Sequence, residues 1–537
     1  MNTTDPRYNP EAFDPLDMNN YRVEKLKKME KKGVEKWMEW LGGPLAILSF
    51  ILIYYFVDIS FLNQIKTEVL RDDSLKRLKE IGAENFSRIN YAMLGIFVAS
   101  IILWITEAIP NYLTSLIVVI AMVLTGVTTE NLAYAQLGHP VMWLNILSFI
   151  LASMLVTTKA AKRFALWFVL KFGKNATWIF FSFIVINIVL SVFISATTAK
   201  ATILLPIFMV IAAIYGATAD HRNNFGRSIV LENLFQINIG ASGFITGSGA
   251  NLLAGSLIAG ALGQSLFGFQ DWFIAAFPLC IILILIGWVV GTRVIFPMKK
   301  EEQRPQIEGG MQRLKEEYLK LGKMTVNEYK SIFIFITVLA LWATDKQHGI
   351  SQTAVAFLGA VVALLPRVGV VKWNDVDIPW HLMLFSAGAY TLGAGLEATD
   401  LPATLVDALF GYFGISKATP FWVLYLGLTF LMLFSAIFFQ SKTMRALIFV
   451  PMAIGIAQKF GYPVMSLAFP VALLIEHVYV LPFNSKPSAL LYTTNQYSMS
   501  DSFKFGFTMM VISWFMIIIW GETVLRWLGY TSNGVFF

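Results

Sequence analysis

The chain has 537 residues, of which 56% are hydrophobic and only 14% charged, whereas soluble globular chains carry about a quarter charged residues. This excludes an ordinary soluble domain and marks a polytopic membrane protein. The net charge of +7 concentrates beside apolar segments, so positive-inside placement explains it better than nucleic-acid binding does.

Residues 1–38 are polar, with Arg22, Lys25, Lys27, Lys28, Lys31, Lys32 and Lys36 leading into Trp37 and Trp40. They form a basic N-terminal segment without a cleavable signal, expected to stay in the cytoplasm as a topology signal. A basic helix along the lipid surface is the alternative, diluted by Glu24, Glu30 and Glu35. Apolar stretches at 41–57, 92–109, 113–125, 279–290 with its flanks, 332–343 and 507–520 approach the roughly 20 residues that span hydrocarbon as a helix. None has the strict alternation of a barrel strand. Residues 59–88 read as a mixed-charge outer loop. Cys280 lies in an apolar run and leaves no disulfide or cysteine metal site.

One pattern occurs twice. Ala196-Thr197-Thr198-Ala199-Lys200 runs through an apolar stretch to Pro206, and Ser441-Lys442-Thr443-Met444-Arg445 does the same to Pro451, 245 residues later. Leu103-Trp104-Ile105-Thr106-Glu107 matches Leu341-Trp342-Ala343-Thr344-Asp345, and Trp143 matches Trp380, at similar offsets. The chain therefore divides into a first repeat at 39–297, a polar cytoplasmic linker at 298–330, and a second repeat at 331–537. Residues 159–175 carry Lys159, Lys162, Arg163, Lys171 and Lys174, while the equivalent 397–414 carries Glu397, Asp400 and Asp407 and no Lys or Arg. The positive-inside rule puts these on opposite sides, so the repeats are inverted.

The polar stretches at 196–200 and 441–445 are too short to leave the membrane and return between their apolar flanks, and read as tips of two re-entrant hairpins. The loops at 242–251 and 482–488 read as unwound midsections of two further spans. Irregular backbone at that depth is tolerated only where it lines protein or a cavity. Inverted repeats with paired breaks are the signature of a secondary transporter with a site near the midplane, and amides at resuming half-helices suit an anion.

Trp104-Ile105-Thr106-Glu107-Ala108-Ile109-Pro110 closely resembles an early signature of the divalent anion/sodium symporter family, whose members carry dicarboxylates, citrate and sulfate. The tips resemble that family's paired Ser-Asn-Thr motifs, and Gly247-Ser248-Gly249-Ala250-Asn251 resembles its Gly-Thr-Pro-Pro-Asn loop. The resemblance spans about residues 40–530. It implies an all-α fold of about eleven transmembrane helices plus two opposed hairpins, a homodimer, and elevator-like alternating access. Substrate carboxylates would meet the tips, and sodium would be held by tip and loop oxygens. The departures are Ala196-Thr197-Thr198, Ser441-Lys442-Thr443, the cations Lys200 and Arg445, and Lys486 and Ser488 in the second loop.

Four cations near the bilayer centre cost about 2.5–3.5 kcal/mol each on insertion scales. Lys200, Lys442, Arg445 and Lys486 therefore need counter-charge. Glu476 and Asp345 are the nearest candidates, and a substrate anion is another. The expected substrate-binding residues are Thr197, Thr198, Lys200, Ser441, Lys442, Thr443, Arg445, Ser485 and Lys486, with Thr246, Ser248 and Asn251 as a second-loop or ion site. Tethered cations would repel a mobile sodium, which points to sodium-independent anion exchange across the plasma membrane. Sodium-coupled dicarboxylate or sulfate symport and a non-transporting anion sensor are the alternatives. A competing reading has Lys200 and Arg445 snorkel to the interface. His139, His221, His348, His381 and His477 share no metal-ligand spacing, and no cofactor is expected. His477, beside Glu476 in an apolar span, offers a weak proton-coupling alternative. Glu107 is read as either a helix-end charge or a family site residue. No cluster of acids or histidines suggests an enzyme.

Overall fold

A computed structural model describes residues 14–22, 34–63, 67, 70–218, 220–262, 267–307, 309–413, 419–437, 439, 441–531 and 533–536. Lys25, Lys27, Lys28, Lys31 and Lys32 of the basic segment lie outside these described residues. The regular structure among them is helical. The first repeat contains α1 (Val34–Ile51), α2 (Asp72–Ile81), α3 (Ala83–Thr106), α4 (Asn111–Leu124), α5 (Pro140–Thr157), α6 (Ala160–Phe172), α7 (Ala176–Phe193), α8 (Thr197–Ile214), α9 (Asn224–Ser242), α10 (Gly249–Ala261) and α11 (Phe269–Val289). The linker forms α12 (Gly310–Lys320). The second repeat contains α13 (Val326–Ala343), α14 (Gln352–Leu364), α15 (Trp380–Thr399), α16 (Leu401–Phe413), α17 (Phe421–Phe434), α18 (Lys442–Phe460), α19 (Val464–Leu473), α20 (Lys486–Tyr492) and α21 (Met499–Glu522).

Eight helical stretches among the described residues are long and apolar enough to cross a membrane. Setting the hairpins α7/α8 and α17/α18 aside, α1, α3, α4, α5, broken α9/α10, α11, α13, α14, α15, broken α19/α20 and α21 supply eleven crossings. The six apolar stretches in the sequence fall inside or largely over such helices. The stretch 59–88 is not a loop in its described part. It contains a short helix at Ser60–Asn63, then α2 and the start of α3.

Both hairpins return to the side they entered from. Phe225, at the start of α9, stacks on Tyr215 just after α8 with centroids 4.1 Å apart and lies edge-on to Phe180 near the start of α7 at 5.4 Å. The outer ends of α7 and α8 therefore meet. They do so on the linker side, where the Gln306 amide donates to the Ile214 carbonyl at 2.7 Å. In the second hairpin, Phe421 at the start of α17 meets Tyr462 just beyond α18 at 4.8 Å.

The 24-residue α21 fixes the relative direction of the hairpins. Its start pairs with α9 through Asp501 and Arg227 at 3.4 Å, on the linker side. About 24 Å further along at a helical rise of 1.5 Å per residue, its last turns receive the Tyr425 hydroxyl of α17 on the Ile517 carbonyl at 2.7 Å. Gly521 leaves room for that ring, since a Cβ there would meet the Tyr425 hydroxyl at 2.6 Å. The second hairpin thus enters from the face opposite the first, as inverted repeats require.

Charged loops sort by face in the same way. On the linker side Arg163 Nε donates to Glu328 Oε1 at 2.5 Å, and its guanidinium also donates to the Gly322 and Leu321 carbonyls at 2.8 and 3.0 Å. On the other side Arg71 pairs with Asp400 at 2.6 Å. The basic and acidic repeat-related corners therefore meet different partners at opposite ends. The Arg163–Glu328 pair is buried, and Glu328 also closes a capping box with Thr325 at the start of α13. Arg163→Ala is expected to destabilise the protein by about 3–5 kcal/mol, because it strands a buried carboxylate. A melting temperature in detergent unchanged from wild type would overturn that role.

Candidate functional site

The two tips differ from the short loops read in the sequence. The chain breaks at Ile194–Ala196, so Thr197–Lys200 already form the first turn of α8, and Lys442–Arg445 form the first turn of α18. Ser441 caps α18 by accepting from the Met444 amide at 3.3 Å. Ala196 offers no side-chain cap to α8, which leaves the first-turn amides of that helix without one.

The breaks in the two discontinuous spans follow one design. Ser248 and Ser485 cap α10 and α20 with nearly the same backbone geometry, φ −158° and ψ 159° against φ −157° and ψ 159°. Asn251 donates to the Ala241 carbonyl at 3.0 Å, and Ser488 donates to the Val478 carbonyl at 3.1 Å. Gly247 permits the first break, since a Cβ would lie 2.1 Å from the Ala241 carbonyl oxygen. The second break is longer than the sequence suggests. It opens after Leu473 and closes at Lys486, which takes Leu474, Ile475, Glu476 and His477 out of the helix.

Two of those freed carbonyls receive Arg445, whereas Lys200 is received within α9. Lys200 is fully buried, and its ammonium donates to Ser191 Oγ on α7 at 2.8 Å and to the Ile237 carbonyl on α9 at 3.1 Å. Arg445 is equally buried. It donates to Ser435 Oγ at 3.1 Å, to the Ile475 and Leu474 carbonyls at 3.1 and 3.3 Å, and to the Met432 carbonyl. Each cation thus reaches a serine on the entering side of its own hairpin and a carbonyl of its repeat's broken span. Neither snorkels to the interface. The first hairpin is further tied to α9 by Asn187, which donates to Asn233 Oδ1 at 2.9 Å and Gln236 Oε1 at 3.0 Å.

The tips and breaks of both repeats meet at Glu476. This carboxyl is fully buried, and its Oε2 accepts from Lys442 Nζ at 2.5 Å while Oε1 accepts from Ser248 Oγ. Lys442 Nζ also donates to Thr197 Oγ1 at 3.4 Å. One carboxylate and one ammonium therefore join tip one, break one, tip two and break two. Lys200 and Arg445 lie within electrostatic range of the same carboxylate.

The remaining expected residues are placed as follows. Thr198 and Thr443 are half-buried in their first turns. Ser485 shares a 2.7 Å hydrogen bond with Ser488. The expectation that four cations share one centre holds for three only. Lys486 is exposed, 3.3 Å from His381 Nε2, and in electrostatic range of Glu107. Asp345 is not a counter-ion for the tips, since it accepts from the Phe269 amide at the start of α11, at 3.1 Å. Thr246 Oγ1, Asn251 Oδ1 and both ring nitrogens of His477 are buried without a hydrogen-bond partner. Ser191, Ser435 and the carbonyl acceptors were not legible as site groups. Their one signal is that Ser191 and Ser435 lie in otherwise apolar stretches 244 residues apart, one short of the 245 between Lys200 and Arg445.

At the second tip the Ser435 hydroxyl and three carbonyls already accept from Arg445. At the first, Thr246 Oγ1 and Asn251 Oδ1 are two unpartnered side-chain oxygens. On the linker side of the first tip, a cavity of about 200 Å³ borders Thr202 and Pro206 of α8 and is lined by Arg22, Lys159, Lys162 and Glu317.

The family described as the sodium:sulfate symporter transmembrane region matches residues 81–531. Among relatives, a membrane protein of Cupriavidus necator is 25% identical over 460 residues, covering 82% of this chain and 88% of the relative. The sodium-dependent dicarboxylate transporter SdcS of Staphylococcus saprophyticus is 25% identical over 457 residues, covering 80% and 86%. The sodium-dependent high-affinity dicarboxylate transporter 3 of Caenorhabditis elegans is 26% identical over 445 residues, covering 74% and 76%. With its paired breaks, opposed hairpins and a family match over most of its length, the chain belongs to the divalent anion/sodium symporter family.

Proposed function

We propose that this protein carries di- or tricarboxylate-type anions across the cytoplasmic membrane by alternating access, exchanging one anion for another without sodium. The observation that carries the reading is the cation cluster at the hairpin tips. Lys200, Lys442 and Arg445 face one carboxylate, Glu476, an excess of two positive charges. A dicarboxylate would cancel that excess. An empty site keeps it, and moving net charge through a low-dielectric core is costly, so return without cargo is disfavoured and exchange follows.

The tip cations bear on sodium as well. Lys200 and Arg445 are solvated by serine hydroxyls and by carbonyls of the broken spans, oxygens of the type a sodium ion would use. A tethered cation in such a position supplies fixed charge beside the anion and needs no gradient. Sodium-coupled symport is the second reading, favoured by the names of the relatives and by the unpartnered Thr246 and Asn251 oxygens. A non-transporting sensor on the same fold is the third, and would bind anion without flux.

In this reading the substrate's carboxylates approach Lys442, Thr197, Thr198 and Thr443 and the uncapped first turn of α8, whose amides favour negative charge. The linker and the basic cavity face the cytoplasm, with the N-terminus on the same side, and the protein works as a homodimer. The chemistry is binding and translocation with no bond made or broken, so the protein is not an enzyme.

Two experiments test this. Proteoliposomes loaded with succinate or malate are expected to take up labelled dicarboxylate with sodium or potassium outside, and to take up little when empty. Uptake that requires external sodium and ignores the internal anion would sink the exchange reading. Lys159→Gln with Lys162→Gln is expected to raise the KM for substrate on the cavity side several-fold, more at low than at high salt, with kcat nearly unchanged. A KM insensitive to both substitution and salt would mean that the cavity does not steer anions.

A further inference from the structure

We propose that Glu476 sets the valence of the anion this site accepts, acting as a resident carboxylate that shares the tip cations with the cargo. The proposal rests on the anion-carrier reading above and goes beyond it by assigning the choice of charge to one residue.

The geometry that points there is the position of the carboxyl. Glu476 lies at the one place where both tips and both breaks meet, fully buried, with Lys442 Nζ at 2.5 Å and Ser248 Oγ on its other oxygen. Among the described residues, Lys200 and Arg445 have hydroxyl and carbonyl partners but no carboxylate in direct contact. Glu476 is therefore the negative group that brings three cations down to an excess of two. Glu232, the other buried acid on α9, packs where a Cβ on Gly291 would touch its carboxyl, beside Phe505. It sits about a turn and a half along α9 from the carbonyl that holds Lys200, and it is not among the groups whose charge acts on Lys200, which are Lys442, Glu476 and Cys280.

Buried charge is matched closely because solvent cannot screen the mismatch. A site with two surplus positive charges favours a dianion over a trianion, which would leave one negative charge uncompensated, and over a monoanion, which would leave one positive. Glutamine at 476 keeps the shape and both hydrogen bonds, since its carbonyl can accept from Lys442 and its amide can donate to Ser248 Oγ. It removes only the charge and raises the surplus to three. Lys442→Gln lowers the surplus to one. Combined with Glu476→Gln, it restores two.

The test uses the full-length protein in proteoliposomes at a mildly alkaline pH where citrate is fully ionised. Uptake of labelled succinate competes with unlabelled succinate, citrate and butyrate in wild type, Glu476→Gln, Lys442→Gln and the double variant. Thermal-shift binding of the same anions in detergent is measured in parallel. Wild type is expected to prefer succinate. Glu476→Gln should move the citrate-to-succinate ratio about tenfold or more toward citrate, Lys442→Gln should move preference toward butyrate, and the double variant should prefer succinate again.

A purely structural ion pair predicts something else: both single variants lose stability, the double variant recovers it, and the valence order never changes. That pattern, or unchanged ratios in variants that still bind, would overturn the proposal. A single variant too unstable for uptake is judged from the thermal-shift series and the double variant. Wild type that neither binds nor moves any of these anions would bring down the carrier reading itself. Wild-type succinate uptake with valence-blind variants would bring down only the role of Glu476.

Discussion

A lysine and an arginine buried completely within an apolar bundle must be solvated by something, and here the solvent is serine hydroxyl and backbone carbonyl, part of it from broken helix. An intact span keeps its carbonyls within its own hydrogen-bond ladder. Where the second broken span passes its tip, Leu474 and Ile475 turn freed carbonyl oxygens toward Arg445, while Lys200 meets the Ile237 carbonyl within α9. Each feature supports the other. Unwound backbone at this depth is expensive without donors, and a cation at this depth is expensive without acceptors. The breaks and the tips are thus one structural unit in each repeat, and the position of the site follows from them.

The repeats share this unit but use different cations. In the first, a lysine makes two hydrogen bonds, and the neighbouring break keeps Thr246 Oγ1 and Asn251 Oδ1 without partners. In the second, an arginine makes four, two of them to carbonyls of a longer break. A planar guanidinium with five donors needs such an array, whereas an ammonium does not. The length of the second break has a physical cause in this reading. Leu474 and Ile475 leave the helix so that both carbonyls can meet one guanidinium, and that same departure swings Glu476 to Lys442 and Ser248.

Much of this was legible in the sequence because it depends on periodicity and repetition. The long apolar stretches, the offset of 245 residues between Lys200 and Arg445, and the basic and acidic corners at 159–175 and 397–414 fix the spans, the hairpins and their inversion. The tips were misjudged because serine, threonine and lysine in a helix's first turn have the composition of a loop. The second break was judged too short because Leu474 to Leu481 is mostly apolar and carries no glycine or proline. Its unwound carbonyls pair with Arg445 from a distant segment. Glu476 could be named as a counter-charge from its sequence alone, but its choice of Lys442 over Arg445 is a tertiary fact. Lys486 failed for the converse reason, since a repeat-related position does not fix where a long side chain on the surface of α20 will point.

The electrostatic case for exchange becomes narrower and firmer once Lys486 is set aside. Four unpaired cations would make an empty site so costly that its folding without substrate would itself need explaining. Three cations sharing one carboxylate, two of them solvated by neutral oxygens, make a site that folds empty yet keeps a surplus charge. Under the exchange proposal, such a site would stay where water can reach it until an anion arrives, because neutral acceptors lower the local energy of a cation without cancelling its long-range field. Cargo would cancel the field and let the loaded domain cross. The coupling of cargo to movement would thus come from charge balance at the tips, with no separate ion binding step required.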